Sequence, residues 1–230
     1  HGSLKADSLS GIQNDLEGHK SYPDKYIALH QLGYHPGDKL SLFAGETIIY
    51  GNRSIDINYL LPNMFWRATE HNLWDRDNVL IYAGGKYRFH GRILLYGQAA
   101  LDELKYGELF SNWWGNKYAL QGGLSYNPPL LLPGKEHLTL GLELTAVRPF
   151  TYTHYMNHTM SSHDGRSLGY AKGSNLVDIS CAIKVPLSYS LLWQSVVSMG
   201  KYGSFGHDYR INYQDIFPGN LSNTGTADWF

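Results

Sequence analysis

The chain has 230 residues, enough to bury a sizeable core in one large domain or two small ones. Charged residues make up 17% and aromatics 14%, with 18 tyrosines and 25 glycines. Lys plus Arg (19) nearly cancels Asp plus Glu (20), so the balance excludes a disordered chain and gives no overall electrostatic case for nucleic acid. A single cysteine, Cys181, excludes a disulfide framework and a multi-Cys metal site. The absence of an 18-residue apolar run excludes a transmembrane helix, but not a membrane. Low charge with abundant Tyr and Gly suits a transmembrane β-barrel, because half its strand residues face water.

Residues 1–24 read as a polar N-terminal segment, and residues 25–230 as a β-barrel segment. The opening His1-Gly2-Ser3 lacks a basic n-region and an apolar h-region, so a piece of a longer protein or a processed form is expected. Lys25 to Tyr34, Lys39 to Tyr50 and Asn78 to Phe89 are apolar-rich with blurred alternation. From there the pattern sharpens. Ile93, Leu95, Gly97, Ala99 and Leu101 oppose Arg92, Leu94, Tyr96, Gln98, Ala100 and Asp102. Tyr118, Leu120, Gly122, Leu124 and Tyr126 oppose Lys117, Ala119, Gln121, Gly123 and Ser125. Leu138, Leu140, Leu142 and Leu144 oppose Thr139, Gly141, Glu143 and Thr145, and Val177 to Pro186 repeats the scheme. A period of two predicts strands. Ser188 to Met199 is a weaker strand, His207 to Gln214 another candidate, and 220–230 reads as irregular.

Shorter and longer connections alternate along this series, with His90-Gly91 and Leu187-Ser188 among the shortest and 51–77 and 149–175 the longest. An up-and-down meander puts every second loop at the same end, so the long loops gather there, as in outer-membrane barrels. A soluble sandwich has no physical reason to sort loops by parity. The expected fold is therefore all-β: an antiparallel up-and-down meander, part of a transmembrane outer-membrane β-barrel, with about eight or nine strands present.

The long loops carry aromatic rings beside charged groups: Trp66, Trp74, Trp113, Trp114, Arg148, Tyr152, His154 and Tyr155. Sugar C–H faces stack on such rings and sugar hydroxyls take planar polar partners, so these are candidate polysaccharide-binding residues. The plainer reading of any one of them is packing or an interfacial girdle. Arg92, Gln98, Asp102, Lys117, Gln121 and Glu143 are expected to face a polar lumen. His154, His158 and His163 do not by their spacing enforce a zinc site, so no metal is expected. Ser161-Ser162-His163 lacks a nucleophile elbow, and paired carboxylates such as Asp102 and Glu143 are more simply lumen ion partners, so no catalysis is expected. Gly84-Gly85 and Gly122-Gly123 lie within strands, as bulge or crowding positions.

An ordered set of short stretches resembles a known family: Glu46-Thr47-Ile48-Ile49-Tyr50-Gly51, Tyr59-Leu60-Leu61-Pro62, Gln98 to Glu103, Trp114-Gly115-Asn116-Lys117, Glu143 to His154, Leu168-Gly169-Tyr170 and Gly173-Ser174-Asn175. Together they resemble the capsule assembly protein Wzi family, especially its Bacteroidota members. The resemblance runs from about Tyr26 to Ser198 and implies a non-enzymatic outer-membrane β-barrel without a cofactor. Its implied partners are outer-membrane lipid, surface polysaccharide and other cell-envelope proteins. Capsule assembly, adhesion and gliding are the implied roles. A porin-like channel and a soluble all-β carbohydrate-binding module are the alternatives.

Overall fold

A computed structural model of the chain describes residues 2–5, 13–14, 20–21, 23–61, 66, 76–109, 111, 113–130, 138–204, 206–208 and 211–216. The strands among them are β1 (Gly2–Leu4), β2 (Gln13–Asn14), β3 (Lys20–Ser21), β4 (Lys25–Tyr34), β5 (Leu40–Gly51), β6 (Asn78–Phe89), β7 (Ile93–Glu103), β8 (Lys117–Tyr126), β9 (Thr139–Val147), β10 (Ser162–His163), β11 (Arg166–Ser167), β12 (Leu176–Ser188) and β13 (Leu191–Tyr202). One nine-stranded antiparallel sheet runs in the order β1-β4-β5-β6-β7-β8-β9-β12-β13. The sheet is an open up-and-down meander whose edges are β1 and β13. The pairs β2–β3 and β10–β11 are small separate hairpins.

Period-two patterning gives the sheet two unlike faces. Gln98 pairs with Gln121, Gln121 with Thr145, and Thr145 with Asp178, which makes a polar row across four strands. On the opposite face Leu120 pairs with Ala99, Leu144 with Gly122, and Ile179 with both Leu144 and Met199. Much of this apolar face is uncovered: Leu144 is 52% and Met199 73% exposed. No second sheet packs on it among the described residues. Leu140, Leu142 and Leu144, which a soluble sandwich would bury, stand exposed instead.

The tight turns follow local backbone chemistry. The turn His90-Gly91-Arg92, with Arg92 N donating to Phe89 O, joins β6 to β7, and Asp164-Gly165 joins β10 to β11. His90-Gly91 and Asp164-Gly165 each have positive φ at both positions (48° and 70°, 50° and 74°), the twist that a tight hairpin needs. The β12–β13 hairpin carries a bulge between Pro186 and Ser188, where proline has no N–H to donate. The expected strand His207 to Gln214 is not formed by the described residues of that stretch. Residues Tyr213–Ile216 form a helical turn instead, because Tyr213 and Ile216, three apart, share a helix side and pack into the same aromatic cluster.

The core lies at the long-loop end and not between sheets. Tyr59 and Trp66, from the β5–β6 connection, cover Ala28, Ile48, Tyr50 and Val79 on the apolar face. Trp114, Phe150 and Tyr213 unite the β7–β8 loop, the β9–β12 connection and the segment after β13. Val147, Tyr152 and Leu176 form a third cluster, on the polar face.

Polar groups lock these loops together. Lys25 Nζ donates to Ser162 Oγ at 3.1 Å, and Asn78 Nδ2 donates to Thr159 O at 3.0 Å. Next to them His158 packs on Gly51, with its ring Cδ2 3.3 Å from where a Cβ would stand. Burial, then the nearby Lys25 charge, holds the His158 imidazole below its ordinary range. The folded chain therefore refuses a proton that the unfolded chain accepts. Stability at this end is expected to be complete above about pH 6.5 and to fall as the pH drops below it. Thermal midpoints between pH 8 and pH 5 check this; His158→Gln should flatten the slope, and an unchanged slope would place its origin elsewhere.

Candidate functional site

The connection between β9 and β12 starts with a tightly specified turn. Phe150 and Tyr152 both take positive φ (58° and 88°), uncommon for bulky residues, so the surroundings must over-determine them. Phe150 N donates to Gly206 O at 2.9 Å, Thr151 Oγ1 to Arg148 O at 2.9 Å, and Thr153 Oγ1 to Phe150 O at 2.7 Å. The result sends Phe150 into one buried cluster and Tyr152 into another.

From this turn the chain returns as a strap, residues 168–172, laid over the polar face of the sheet. Tyr152 lies hard against Gly169, where any side chain would collide with the ring, and its hydroxyl accepts the Tyr170 N–H at 3.0 Å. Tyr170 Oη donates to Asp178 Oδ2 at 2.6 Å. Lys172 Nζ reaches both Asp178 oxygens, at 2.7 and 2.8 Å, and Ser198 Oγ at 2.7 Å. Burial and then the Asp178 carboxylate push the Tyr170 phenol up to about 12, so it remains a protonated donor.

Strap and sheet enclose a cavity of about 470 Å³, within the range of small-ligand sites. Its floor is made by Thr47, Tyr82, Gln98, Gln121 and Thr145, and Tyr152 and Tyr170 form the roof. The floor is pre-ordered. Gln98 Nε2 donates to Gln121 Oε1 at 2.6 Å, and Gln121 Nε2 donates to Glu143 Oε1 at 2.9 Å. Tyr96 Oη donates to the other Glu143 oxygen at 2.7 Å. Two strand glycines admit the tyrosine rings: Tyr82 lies against Gly45 and Tyr96 against Gly123. Any larger residue at either position would lift the ring off the sheet.

The structure places the expected residues unevenly. Gln98, Gln121 and Glu143 lie in or directly behind the cavity floor. Asp102 and Lys117 are on the same face but buried under the loops, Lys117 with Glu103 at 3.1 Å and with its ammonium 4.4 Å from the Tyr213 ring. Arg92 sits in the β6–β7 turn, away from the cavity. Among the aromatic candidates, Tyr152 lines the cavity, whereas Trp66, Trp114 and Arg148 are buried in loop packing. Arg148 donates to Trp113 O at 2.8 Å and Asn116 O at 3.2 Å. Trp113, His154 and Tyr155 are half-buried around the Trp114 cluster, with His154 Nδ1 2.7 Å from Thr159 Oγ1. Trp74 lies outside the described residues, as do 220–230. His163 Nδ1 accepts the Lys5 N–H at 2.9 Å, while Ser162 accepts from Lys25. Among the described residues no three His, Cys, Asp or Glu side chains are grouped to hold a metal.

Sequence reasoning missed Thr47, Tyr82, Thr145 and Tyr170 as site residues. For Tyr82, Thr47 and Thr145, strand parity with Gln98 and Gln121 was an available signal. For Tyr170 there was none, because only the tertiary fold lays the strap across the sheet.

The sequence matches no protein-family model and no curated protein at a significant level. Its fold is similar to that of a solved structure, Wzi, described as an outer membrane protein involved in group 1 capsule assembly in Escherichia coli and as a carbohydrate-binding β-barrel. The TM-score is 0.59 at 17% identity, over 87% of this chain and 41% of that one. The chain thus spans about two fifths of the protein it resembles, and the likeness is one of fold.

Proposed function

We propose that this chain belongs to a non-enzymatic outer-membrane β-barrel protein that binds surface polysaccharide, in capsule organisation or in surface adhesion and gliding. The observation that carries the reading is the cavity: tyrosine rings, amides and hydroxyls roofed by a strap, on the polar face of a sheet whose other face is apolar and uncovered. The likeness to a carbohydrate-binding barrel supports it. Membrane placement is supported by strand length and by ring position. The long strands run 9 to 13 residues, which suits tilted crossing of a bilayer. Tyr34, Tyr87, Phe89 and Trp193 stand exposed on the apolar face towards the short-turn end, where an interfacial girdle belongs. The strap over the polar face argues against an open channel.

Two measurements test this on the full-length protein. It should fractionate with outer membrane and migrate faster on gels before boiling; a soluble, heat-insensitive protein would defeat the membrane reading. Tyr82→Ala removes one stacking ring from the cavity floor and should weaken polysaccharide retention about 3- to 10-fold with the β-sheet circular dichroism intact. Unchanged retention would move the site away from the cavity.

A further inference from the structure

The chemistry of the cavity wall narrows the class of glycan. None of the described residues lining it is charged. Its polar groups are the amides of Gln98 and Gln121, the hydroxyls of Thr47, Thr145 and Ser161, and tyrosine phenols. Two carboxylates stand behind this wall, and they have already taken donors from it. Glu143 accepts an N–H of Gln121 at 2.9 Å, and Asp178 accepts a hydrogen bond from the Tyr170 hydroxyl at 2.6 Å. Tyr170 Oη has donated its one proton and accepts a hydrogen bond from the Thr145 side chain, so it offers an entering group no donor.

Lys86, on the same face beside Tyr96, lies outside the cavity lining, and four further cations near the site are directed elsewhere. Lys172 is held by Asp178 and Ser198, Lys25 donates to Ser162, Arg148 to the carbonyls of Trp113 and Asn116, and Lys117 to Glu103 and the Thr153 carbonyl. Both N–H groups of Gln121 are taken, by Glu143 and Thr145. A sugar hydroxyl entering this cavity therefore accepts from the second N–H of Gln98 and donates to the amide and hydroxyl oxygens. A carboxylate only accepts, loses its water without gaining a counter-charge, and lies against a wall backed by Glu143 and Asp178.

We infer that the cavity selects uncharged sugar units and rejects uronate-bearing glycan. The inference rests on the glycan-binding reading above and adds the chemical class of the ligand. Its test pairs neutral polysaccharides (a glucan, a galactan and a mannan) with the same polymers oxidised at C6 to uronates, each retained on the full-length protein in detergent. For every polymer that binds, the neutral form should be retained at least about tenfold more tightly than its oxidised partner. Gln98→Lys places an ammonium in the cavity at an exposed position, and it keeps a donor towards Gln121. That variant should narrow or reverse the preference. Equal or tighter retention of the oxidised polymers by the unaltered protein would overturn the selectivity and leave glycan binding standing. A preference unmoved by Gln98→Lys would place recognition outside the cavity and overturn it too. Retention of neither form of any polymer would defeat the glycan-binding reading and the inference together.

Discussion

Asp77→Ala is expected to destabilise the long-loop end by about 3–5 kcal/mol, because it strands a guanidinium among buried rings. Asp77 is 0% exposed. Arg53 Nη1 and Nη2 donate to its two oxygens at 2.8 and 2.6 Å, and Tyr59 Oη donates at 2.6 Å. Arg53 also lies 4.9 Å from the Tyr50 ring centroid. Burial works against the Arg53 charge, but the hydrogen bonds and charge of Asp77 outweigh it and raise its pKa. Burial, and then the Asp77 carboxylate, drives the Tyr59 hydroxyl far above its ordinary range. Removing the carboxylate leaves the part-buried guanidinium with only the longer Asp56 contact, at 3.5 Å, and one buried hydroxyl without its acceptor. The midpoint of denaturant unfolding, followed by tryptophan fluorescence, is the readout. Arg53→Leu combined with Asp77→Leu should recover much of the loss, since a buried pair replaced as a unit leaves no stranded charge. A single variant as stable as the parent would show that the pair holds nothing together.

Trp114→Ala is expected to cost about 3–5 kcal/mol, by leaving a cavity where three separate segments meet. The Trp114 ring stacks on Tyr213 at 4.6 Å and meets Phe150 edge-on at 5.8 Å. Lys117 Nζ stands 5.9 Å from it. The strands do not depend on this cluster, so β-sheet circular dichroism should persist while protease sensitivity rises in the β7–β8 and β9–β12 connections. Trp113→Ala, at a half-buried position, should cost much less; equal losses would refute the assignment of Trp114 to packing. The two tryptophans therefore cannot be exchanged together as a probe of glycan binding, because any loss of retention would be confounded with loss of loop packing.

The sheet was legible in the sequence because its signal is local. Asn78–Phe89 is a strand with the bounds that its apolar content suggests, and Ile93, Leu95, Gly97 and Ala99 share a face because successive side chains alternate across a strand. β9 runs from Thr139 to Val147, beyond the expected end at Thr145, since Ala146 and Val147 go on pairing with Leu120 and Ala119. That extension depends on a neighbouring strand and leaves no trace in the segment's own pattern. The Asp164-Gly165 hairpin carries its turn residues in the sequence, but its two-residue strands are too short to show alternation within a long loop.

The sequence by itself determined the two-faced meander, the gathering of long loops at one end and the common polar face of Gln98, Gln121 and Glu143. All of these follow from period-two alternation and from the parity of successive connections. Only the tertiary structure decided which loop aromatics are buried and where the cavity lies. Trp66 and Trp114 look alike in sequence to rings that could meet a sugar, and they are covered because distant segments pack on them. Tyr170 reaches the site because Phe150 and Tyr152 are held at positive φ, Gly169 leaves room for the Tyr152 ring, and Asp178, on the next strand, anchors the strap. Alternation is a property of a few adjacent residues, whereas burial is a property of the whole chain's path.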